Sequence, residues 1–468
     1  MYYRINFLIS IFAVVLSAFA GCNSSKNETP KNILFIAIDD LRPELKCYGQ
    51  DYVHSPNIDR LAENGAVFQR AYCSVSWCAP SRTALMTGLR PSITGVMDLK
   101  THFRKKLPNV VTLPQFFKEK GYTSLGFGKL YHNDSTMQDR PSWNEPCWIP
   151  EGEPILAYAT EENQQIAAAS KYNKATATEA ADVPDEAYPD GQVAQKAIQT
   201  LKELKNTGNP FFIGVGFYKP HLPFTAPKKY WDLYDQETIP LAEMTELPQN
   251  ASEYIFREWS EPGSYAGINQ PEPYPDSLSR HLKHGYLACV SFIDAQVGKL
   301  LNELENQNLA ENTIVVIWGD HGWKLGEYGR WSKHSNMEID TRVPLIIYVP
   351  GDEPKVVADI VESIDIYPTL AELAGFEIPQ NLAGENLFHK KRNFAISEIP
   401  RDSVTGHSIR TKDFRYIEWR KNENGKVVDA EFYDHRKEEP EKINKADLLQ
   451  FETVIDSLQV RLKTLIKQ

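Results

Sequence analysis

This sequence lacks most of the features that mark membrane-spanning or nucleic-acid-binding proteins. After residue 22 it has no apolar run long enough to cross a bilayer. It has no block of Lys or Arg of the length expected for a nucleic-acid footprint, and its net charge is −11. No internal repeat is evident, and only six of the 468 residues are cysteine. We therefore expect a large globular core and no nucleic-acid partner.

The N-terminal residues instead have the pattern of a targeting segment. Arg4 provides a positive charge, residues 7–19 are apolar, and small residues precede Cys22. The pattern predicts a bacterial lipoprotein signal peptide with a lipobox at 1–22, lipidation of Cys22, and a flexible tether at 23–30. An ordinary secretory signal is the alternative. We expect an exported protein that is held at the outer membrane by its lipid anchor only, facing the periplasm or the cell surface.

Two apolar runs end in side chains that can bind a metal. Residues 32–38 and 313–318 are typical of parallel strands buried on both faces. Four potential ligands follow these runs, namely Asp39, Asp40, Asp320 and His321. In open α/β sheets, ligands gather at the carboxyl ends of the strands. Adjacent carboxylates repel each other unless a cation lies between them, and oxygen ligands favour Ca²⁺ or Mg²⁺.

Cys78 has an unusual setting for a cysteine. It begins the run Cys-Ala-Pro-Ser-Arg, and residues 83–88 after it have helical character. A cysteine at a helix N-terminus, close to a cation such as Arg82, is in a position that favours an anion. A structural cysteine in a loop is the alternative that so short a motif leaves open.

Alternating strand and helix patterns predict the fold. Further strands are predicted at 122–127, 211–217 and 345–349, and helices at 57–65, 113–120, 193–205, 282–304 and 365–374. This order indicates a doubly wound sheet. Two Pro-rich segments, 133–190 and 241–279, interrupt it and are predicted to be surface insertions, the first acting as a lid over the site. After Gly384, three short strands and a charged helix from residue 443 predict a smaller subdomain.

Together these motifs resemble those of the type I, formylglycine-dependent sulfatases. The stretches Lys219–Phe224 and Gly326–Lys333, with the Asp-His-Gly-Trp run that begins at Asp320, are most similar to the iduronate-2-sulfatase branch. The resemblance implies an α/β, alkaline-phosphatase-like sulfatase fold, with a large, mixed, mostly parallel sheet flanked by helices. It also implies a catalytic domain at 31–384 and a C-terminal antiparallel-sheet subdomain at 385–468.

The resemblance also implies a nucleophile and a metal site. Cys78 would be oxidised by a maturation enzyme to formylglycine, whose hydrated aldehyde attacks the sulfur of a sulfate ester. One Ca²⁺, with Mg²⁺ less favoured, would be held by the modified Cys78 together with Asp39, Asp40, Asp320 and His321.

Five further side chains receive roles from the same resemblance. Arg82 would hold the formylglycine and the metal-site carboxylates in place. Lys129 would contact the sulfate, and His132 would take the proton whose loss regenerates the aldehyde. His221, flanked by prolines, would be a positioned acid or sulfate donor, and Lys333 would stabilise charge on the sulfate or the bridging oxygen. Taken singly, such residues are more often salt bridges, solvated charges or packed loop residues.

Several other side chains stay open as candidates. Lys324 and His334 depart from the closest branch pattern, which leaves the substrate rim undefined. A basic cluster could bind a uronate carboxylate or a second sulfate, or be a solvated charge run; it comprises His102, Arg104, Lys105 and Lys106. Three tryptophans could stack on sugar faces or pack in the core, namely Trp143, Trp148 and Trp323.

The predicted activity is hydrolysis of O-sulfate esters on a sulfated oligo- or polysaccharide, with uronate 2-O-sulfate as the first candidate. An exported bacterial enzyme could equally meet algal polysaccharides such as ulvan, where the sulfated sugar is rhamnose. A phosphodiesterase or phosphonate hydrolase on the same scaffold is a second reading, and only one convincing metal site argues against it. A non-catalytic glycan-binding lipoprotein is a third, and the intact Cys78 motif argues against it.

The remaining cysteines allow disulfides in an oxidising compartment. If Cys22 is lipidated and Cys78 is converted, four are left, namely Cys47, Cys73, Cys147 and Cys289. They permit up to two disulfides, whose connectivity the sequence does not define. Cys289 lies in an amphipathic helix pattern, which favours a buried free thiol.

Overall fold

The computed structural model describes residues 30–132, 138–205, 207–389, 393–436 and 441–466. The predicted signal peptide with Cys22 and nearly all of the predicted tether lie outside the described residues.

The strands of the described residues are β1 (Asn32–Ile38), β2 (Ala66–Tyr72), β3 (Thr123–Gly128), β4 (Thr178–Ala181), β5 (Phe211–Phe217), β6 (Phe224–Pro227), β7 (Thr313–Gly319), β8 (Arg342–Val343), β9 (Leu345–Tyr348), β10 (Lys355–Glu362), β11 (Phe394–Pro400), β12 (Val404–Thr411), β13 (Phe414–Lys421) and β14 (Val427–Asp434). The α-helices are α1 (Pro56–Glu63), α2 (Cys78–Thr87), α3 (Pro91–Thr94), α4 (Leu113–Glu119), α5 (Glu161–Ala169), α6 (Pro189–Leu204), α7 (Lys228–Trp231), α8 (Asp276–Asn306), α9 (Glu338–Thr341), α10 (Ile366–Leu373) and α11 (Glu452–Leu465).

A mixed, mostly parallel sheet of eight strands forms the centre of the molecule. Its order is β10-β2-β9-β7-β1-β5-β3, with β8 paired to β2. The central strands β7, β1, β5 and β3 are mutually parallel, and Phe35 of β1 pairs with Gly214 of β5 and Val316 of β7. Helices α1, α6 and α8 pack on one face, and α2, α4 and α10 pack on the other. Because both faces are covered, β1, β5 and β7 are buried at every residue, which explains their unbroken apolar sequences.

The predicted α/β fold is confirmed, and β1 and β5 have the predicted bounds. Sequence reasoning missed β2 and β10. The first half of β10 is largely exposed because it lies at the edge of the sheet, and β2 carries the half-buried Gln69 and Arg70 in its middle. Neither strand therefore has the continuous apolar run by which a doubly covered strand is recognised.

The segment 133–190 differs from the surface insertion that its composition predicts. Trp143 is fully buried against the main sheet, where Gly126 and Gly214 leave room for its ring. Trp148 forms a bridge with Phe127 of β3. Later in the segment, α5 is followed by β4, which pairs with β6 in a separate two-stranded sheet.

The C-terminal part forms a four-stranded antiparallel sheet in the order β11-β12-β13-β14. The sequence predicted three of these strands and missed β14, whose first four residues are exposed or half-buried and do not form a continuous apolar run. Helix α11 begins at Glu452 and covers one face of the sheet, later than the predicted start at 443. The other face packs against the catalytic part through Trp419, Tyr328 and Met337.

No helix among the described residues is both long and apolar enough to cross a membrane. The five described cysteines are all free thiols, so the disulfides that the sequence allows among Cys47, Cys73, Cys147 and Cys289 are not formed. Cys289 is confirmed as a buried thiol in α8.

Candidate active site

The carboxyl ends of the four parallel strands meet at one edge of the sheet and carry most of the predicted site residues. Asp39 and Asp40 follow β1, Asp320 and His321 follow β7, Lys129 follows β3, and His221 lies after β5. All are buried, the first five being 0% exposed. The close approach of β3 and β5 depends on Gly216, since a Cβ there would lie 2.0 Å from the Lys129 carbonyl oxygen.

Helix α2 places the Cys78 motif against these strand ends. Cys78 is the first residue of the helix and is 3% exposed. Ser81 Oγ donates to the Asp320 carbonyl at 2.6 Å, and Arg82 Nε donates to Asp320 Oδ2 at 2.8 Å. The same guanidinium lies 3.3 Å from Asp39 Oδ1 and contacts the Lys129 carbonyl oxygen. Arg82 therefore joins the ends of β1, β3 and β7.

The predicted metal ligands converge at this edge. Ligand atoms of Asp39, Cys78, Asp320 and His321 lie within 4.8 Å of one another, and Asp39, Asp40, Cys78 and His221 form an overlapping group. His321 Nε2 lies 3.2 Å from Cys78 Sγ, and His321 Nδ1 lies 3.4 Å from Asp40 Oδ1. Three fully buried carboxylates with one imidazole make an oxygen-rich donor set, which suits Ca²⁺ or Mg²⁺. These residues thus fit a hard divalent cation.

Two lysines contact the paired aspartates. Lys129 Nζ contacts Asp39 Oδ2, and Lys333 Nζ lies 2.8 and 2.9 Å from the two oxygens of Asp40. Burial opposes the charge of Asp39, but Lys129, His221 and Arg82 together hold the pKa of Asp39 well below its ordinary value. Burial raises the pKa of Asp40, and the charge of Asp39 adds to this rise against the effect of Lys333.

Cys78 is not set up as a thiolate, contrary to the expectation from its helix position. Burial and the charge of Asp39 raise the pKa of Cys78 to about 11, against the opposing effect of Lys129 and Lys333. The Arg82 side chain points to carboxylates rather than to the thiol. The sequence argument considered the helix end and Arg82 but not the acidic strand ends opposite them.

The loop after β5 holds His221 rigidly. His221 Nδ1 lies 2.6 Å from the Leu222 carbonyl oxygen, and Nε2 lies 3.4 Å from Glu261 Oε1. Lys219 Nζ crosses the loop and donates to the carbonyl oxygens of Pro223 at 2.7 Å and His221 at 3.1 Å. Burial and the charge of Lys333 lower the pKa of His221 well below its ordinary value, which favours the neutral imidazole.

A cavity of about 590 Å³ opens above these groups. It is lined by five predicted site residues, namely Cys78, Lys129, His132, His221 and Lys333. The rest of the cavity wall consists of Trp77, Leu99, Ile155, Leu156, Lys174, Arg257, Trp259, Glu261, Tyr265 and His334. Five of the six predicted catalytic side chains thus line one concave site, and the sixth, Arg82, is buried beneath it.

Some open candidates lie elsewhere. Trp143 and Trp323 are fully buried, so neither can stack on a sugar. Among the described residues that line the cavity, none belongs to the basic cluster of 102–106, in which Arg104 pairs with Asp139. Lys324 Nζ lies 2.5 Å from Asp340 Oδ2 in the interior, whereas His334 lines the cavity.

Sequence reasoning missed most of the outer wall. Lys174, Arg257, Trp259, Glu261 and Tyr265 come from the segments 133–190 and 241–279, whose composition carries no periodic signal. A wall residue that could have been found is the one before Cys78, since Trp77 precedes the motif directly.

Comparison with known proteins gives the family. The sequence profile described as Sulfatase matches residues 31–376, and one described as N-sulphoglucosamine sulphohydrolase, C-terminal, matches residues 326–468. The chain is 34% identical to iduronate 2-sulfatase of Mus musculus over 491 residues, which covers 88% of each chain. The chain belongs to the sulfatase family. This sulfatase is thus a sulfuric ester hydrolase, as the sequence predicted.

Other relatives agree with this result. A protein named sulfatase from Formosa agariphila is 32% identical to this sulfatase, over 92% of this chain and 86% of that one. Phosphonate monoester hydrolase from Silicibacter pomeroyi has a similar structure, with a TM-score of 0.76 at 22% identity, over 93% and 94% of the two chains. A structure solved with its substrate D-glucosamine-2-N,6-O-disulfate has a TM-score of 0.74 at 20% identity, over 94% and 98% of the chains. At these identities the structural likeness shows the fold alone.

Proposed function

We propose that this sulfatase hydrolyses O-sulfate esters of sulfated glycans with formylglycine at position 78 as nucleophile, and that uronate 2-O-sulfate is its substrate class. The observation that carries the proposal is the convergence of Cys78 with Asp39, Asp320 and His321 within 4.8 Å. The substrate class is supported by the 33–34% identity to the mouse and human proteins named iduronate 2-sulfatase.

The raised pKa of Cys78 supports a precursor role. A thiol with a pKa near 11 is almost fully protonated at neutral pH, and a protonated thiol is a poor nucleophile. Once converted to formylglycine, residue 78 would supply the hydroxyl of a hydrated aldehyde as the attacking group. A Ca²⁺ held by Asp39, Asp40, Asp320 and His321 would polarise the sulfate oxygens.

The side chains around the cavity would handle the charges and protons of the reaction. Lys129 and Lys333 would bind sulfate oxygens, where their charge stabilises the negative charge that develops as the ester bond breaks. His221 gives its Nδ1 proton to the Leu222 carbonyl, so it would donate from Nε2 to the sulfate or its leaving oxygen as the imidazolium. His132, which lines the same cavity, would accept the proton whose removal regenerates the aldehyde.

Peptide mass spectrometry tests the nucleophile. In protein produced together with a formylglycine-generating enzyme, the peptide with Cys78 should be lighter by the difference between a thiol and an aldehyde. The peptide with Cys289, which is also fully buried, serves as an internal control and should keep its thiol mass. A fully active protein with unmodified Cys78 would overturn the mechanism.

Metal removal tests the cation. Chelation should abolish sulfate release and lower the melting temperature, and Ca²⁺ should restore both more effectively than Mg²⁺. A chelated protein that keeps its activity and its melting temperature would contradict the metal assignment.

A substrate panel separates the alternatives. Aryl sulfates compared with aryl phosphate diesters would distinguish this proposal from a phosphodiesterase or phosphonate hydrolase. Sulfated uronate oligosaccharides compared with sulfated rhamnose oligosaccharides would distinguish glycosaminoglycan substrates from ulvan-type ones. Binding of either glycan without sulfate release would favour a non-catalytic role.

The proposal includes export and lipid anchoring at Cys22, which lies outside the described residues. Metabolic labelling with a radioactive fatty acid should mark the wild-type protein in a bacterial host. A Cys22→Ser variant should lose the label, and equal labelling of both proteins would contradict the anchor.

A further inference from the structure

We propose that Lys174, Arg257 and His334 form a second anion-binding subsite, which holds a carboxylate or a second sulfate of the same substrate molecule away from the scissile sulfate. The proposal rests on the proposed function and deepens it. It assigns specificity to Lys174 and Arg257, which come from the two segments 133–190 and 241–279 whose sequences carry no readable substrate signal, and to His334.

The three side chains line the same cavity as Cys78 but come from different parts of the chain. Lys174 follows α5, Arg257 lies in the segment 241–279, and His334 follows Lys333 directly. The subsite therefore exists only in the folded protein.

The two cations of the subsite have no carboxylate partner among the described residues. Lys174 Nζ donates to Ser264 Oγ at 2.7 Å, and Arg257 Nη2 lies 3.5 Å from the Pro400 carbonyl oxygen. Glu261, the carboxylate that lines this cavity, is instead 3.4 Å from His221 and 3.8 Å from Lys333. Glu261 acts on Lys174 through its charge, but neither Lys174 nor Arg257 forms an ion pair with a carboxylate of the described residues. Two cations that face one concave surface without an ion pair create a positive potential that attracts an anion. Lys129 and Lys333 differ in this respect, because both contact aspartates.

The side chain of His334 gives independent evidence that a ligand binds at this subsite. Its side chain lines the cavity and the residue is 7% exposed, yet neither ring nitrogen has a hydrogen-bond partner among the described residues. A buried polar group without a partner is uncommon and indicates that a ligand completes the site. Burial and the charges of Lys333 and Arg257 lower the pKa of His334, so its neutral ring keeps one N–H donor for an anionic oxygen.

Aromatic rings next to these groups indicate that the anion is carried by a sugar. The His334 ring packs 5.7 Å from Trp259 in a stacked arrangement and 5.0 Å from Trp77 edge-on, and Arg257 lies over Trp77 at 5.4 Å. Trp259 remains 40% exposed at the cavity. An exposed indole beside a cation suits an acidic saccharide, whose ring packs on the aromatic face while its anion meets the guanidinium.

Matched substrate pairs test the subsite. The first pair is a 2-O-sulfated uronate disaccharide with a free carboxylate and its methyl ester. The second pair is the same disaccharide with and without a sulfate on the neighbouring hexosamine. For each pair, the ratio of kcat/KM measures how much the enzyme prefers the additional anion.

The variants remove one contact at a time. Arg257→Gln and Lys174→Gln remove a charge, and His334→Asn removes the ring while keeping a residue type that tolerates the positive φ of 76° at this position. Arg436→Gln is the matched control, since it removes one charge from a side chain that is 52% exposed, in the turn after β14.

In wild type, at least one pair should show a preference for the additional anion. Arg257→Gln and Lys174→Gln should lower that preference roughly tenfold to hundredfold, the usual effect of losing a hydrogen bond to a charged group. His334→Asn should lower it less, and Arg436→Gln should leave it at the wild-type value. The pair that responds identifies the anion as the carboxylate or the second sulfate.

If wild type hydrolyses the sulfate esters but neither ratio changes in Arg257→Gln or Lys174→Gln, the subsite is wrong and the proposed function stands. If wild type releases no sulfate from any ester of the panel, the proposed function fails, and the subsite fails with it.

Discussion

The floor and the outer wall of the cavity are built in different ways. The floor, which consists of Asp39, Asp40, Cys78, Arg82, Lys129, Asp320 and His321, comes from strand ends and the first turns of α2, and it is buried. The wall, which consists of Lys174, Arg257, Trp259, Glu261 and Tyr265, comes from segments between the regular elements. Trp259 is 40% exposed, and two wall cations lack a carboxylate partner among the described residues.

This difference separates reaction chemistry from recognition. Ends of buried strands have few alternative conformations, so they can hold like charges close together without moving apart. Irregular segments at the rim can change in sequence without disturbing the sheet. The floor therefore carries what sulfate ester hydrolysis requires, whereas the wall is where a particular glycan can be distinguished from others.

A buried carboxyl at the floor and one behind the wall have pKa values shifted in opposite directions, although burial opposes the charge of both. On the floor, nearby cations hold the pKa of Asp39 far below its ordinary value. Behind the wall, Glu431 accepts a hydrogen bond from the backbone N–H of Ser252, and burial raises the pKa of Glu431 to about 7. Asp39 is thus kept charged by its cationic partners. Glu431 is kept protonated at acidic pH because burial outweighs its hydrogen bonds from Trp419, Tyr433 and Ser252.

The largest effect is expected when the floor loses Cys78, the proposed nucleophile. Cys78→Ala should reduce sulfate release from every substrate by on the order of 10⁴-fold or more, because the bond-forming group is gone. The melting temperature should change by only a few degrees. Cys289→Ala, at a buried thiol of α8, should keep its activity. Equal activity of Cys78→Ala and wild type would show that the floor has another nucleophile.

The next effect distinguishes a buried ion pair from a surface one. Arg82→Leu leaves Asp39 and Asp320 buried with one cation fewer, and should lower the free energy of unfolding by about 3–5 kcal/mol. Arg60→Leu breaks a pair with Glu305 at 2.9 Å whose side chains are 42% and 55% exposed, and should cost about 1 kcal/mol or less. Urea denaturation measures both. Equal losses would mean that Arg82 does not hold the floor together.

A smaller effect is a pH-dependent change in stability at Glu431, which binds the backbone of the wall segment at Ser252. The pKa of Glu431 is about 7 in the folded protein and near 4.5 in the unfolded chain. The folded protein therefore keeps the Glu431 carboxyl protonated between about pH 4.5 and 7, where the unfolded chain has lost that proton. Its contribution to stability is present below about pH 4.5 and is lost as pH rises through 7. Glu431→Gln should therefore gain stability relative to wild type between pH 5 and 8, by up to about 3 kcal/mol.

Chemical denaturation at several pH values measures this gain. Glu423→Gln is the control, because the Glu423 side chain is 72% exposed and should show no such trend. Parallel pH profiles for Glu431→Gln and wild type would contradict the protonated state of Glu431.

The smallest effect is expected from the residue that positions the wall. Arg401, from the C-terminal part, donates to the backbone carbonyl oxygens of Tyr254, Ile255 and His334 at 2.7–2.9 Å. Arg401→Lys keeps the charge but loses the forked geometry, so KM for an anionic disaccharide should rise several-fold while kcat changes little. A fall in kcat with unchanged KM would place Arg401 with the floor instead.

Much of the floor could be predicted from the sequence because its residues follow recognisable strands. The apolar runs that end at Ile38 and Trp318 indicate strands buried on both faces, and parallel strands place their carboxyl ends at one edge. That argument brings Asp39 and Asp320 together without any coordinates. It could not show that these charges would surround Cys78 and raise the pKa of its thiol, against the anion that the helix end and Arg82 alone favour.

The wall could not be predicted in the same way. Trp259 and Arg257 lie in a Pro-rich segment without periodicity, and their position depends on contacts with residues from distant parts of the chain, such as Trp77, His334 and Arg401. The edge strand β10 and the last strand β14 were missed for a related reason, since half-exposed strands lack the apolar pattern that burial imposes.

The sequence by itself determined the family, the central strands and the ligand side chains that follow them, because burial on both faces and short motifs leave local signals. Only the tertiary structure decided which charges are paired, which thiol is protonated and which side chains face the substrate. The physical reason is that pKa values and cavity walls depend on distances between residues far apart in the chain, and such distances exist only after folding.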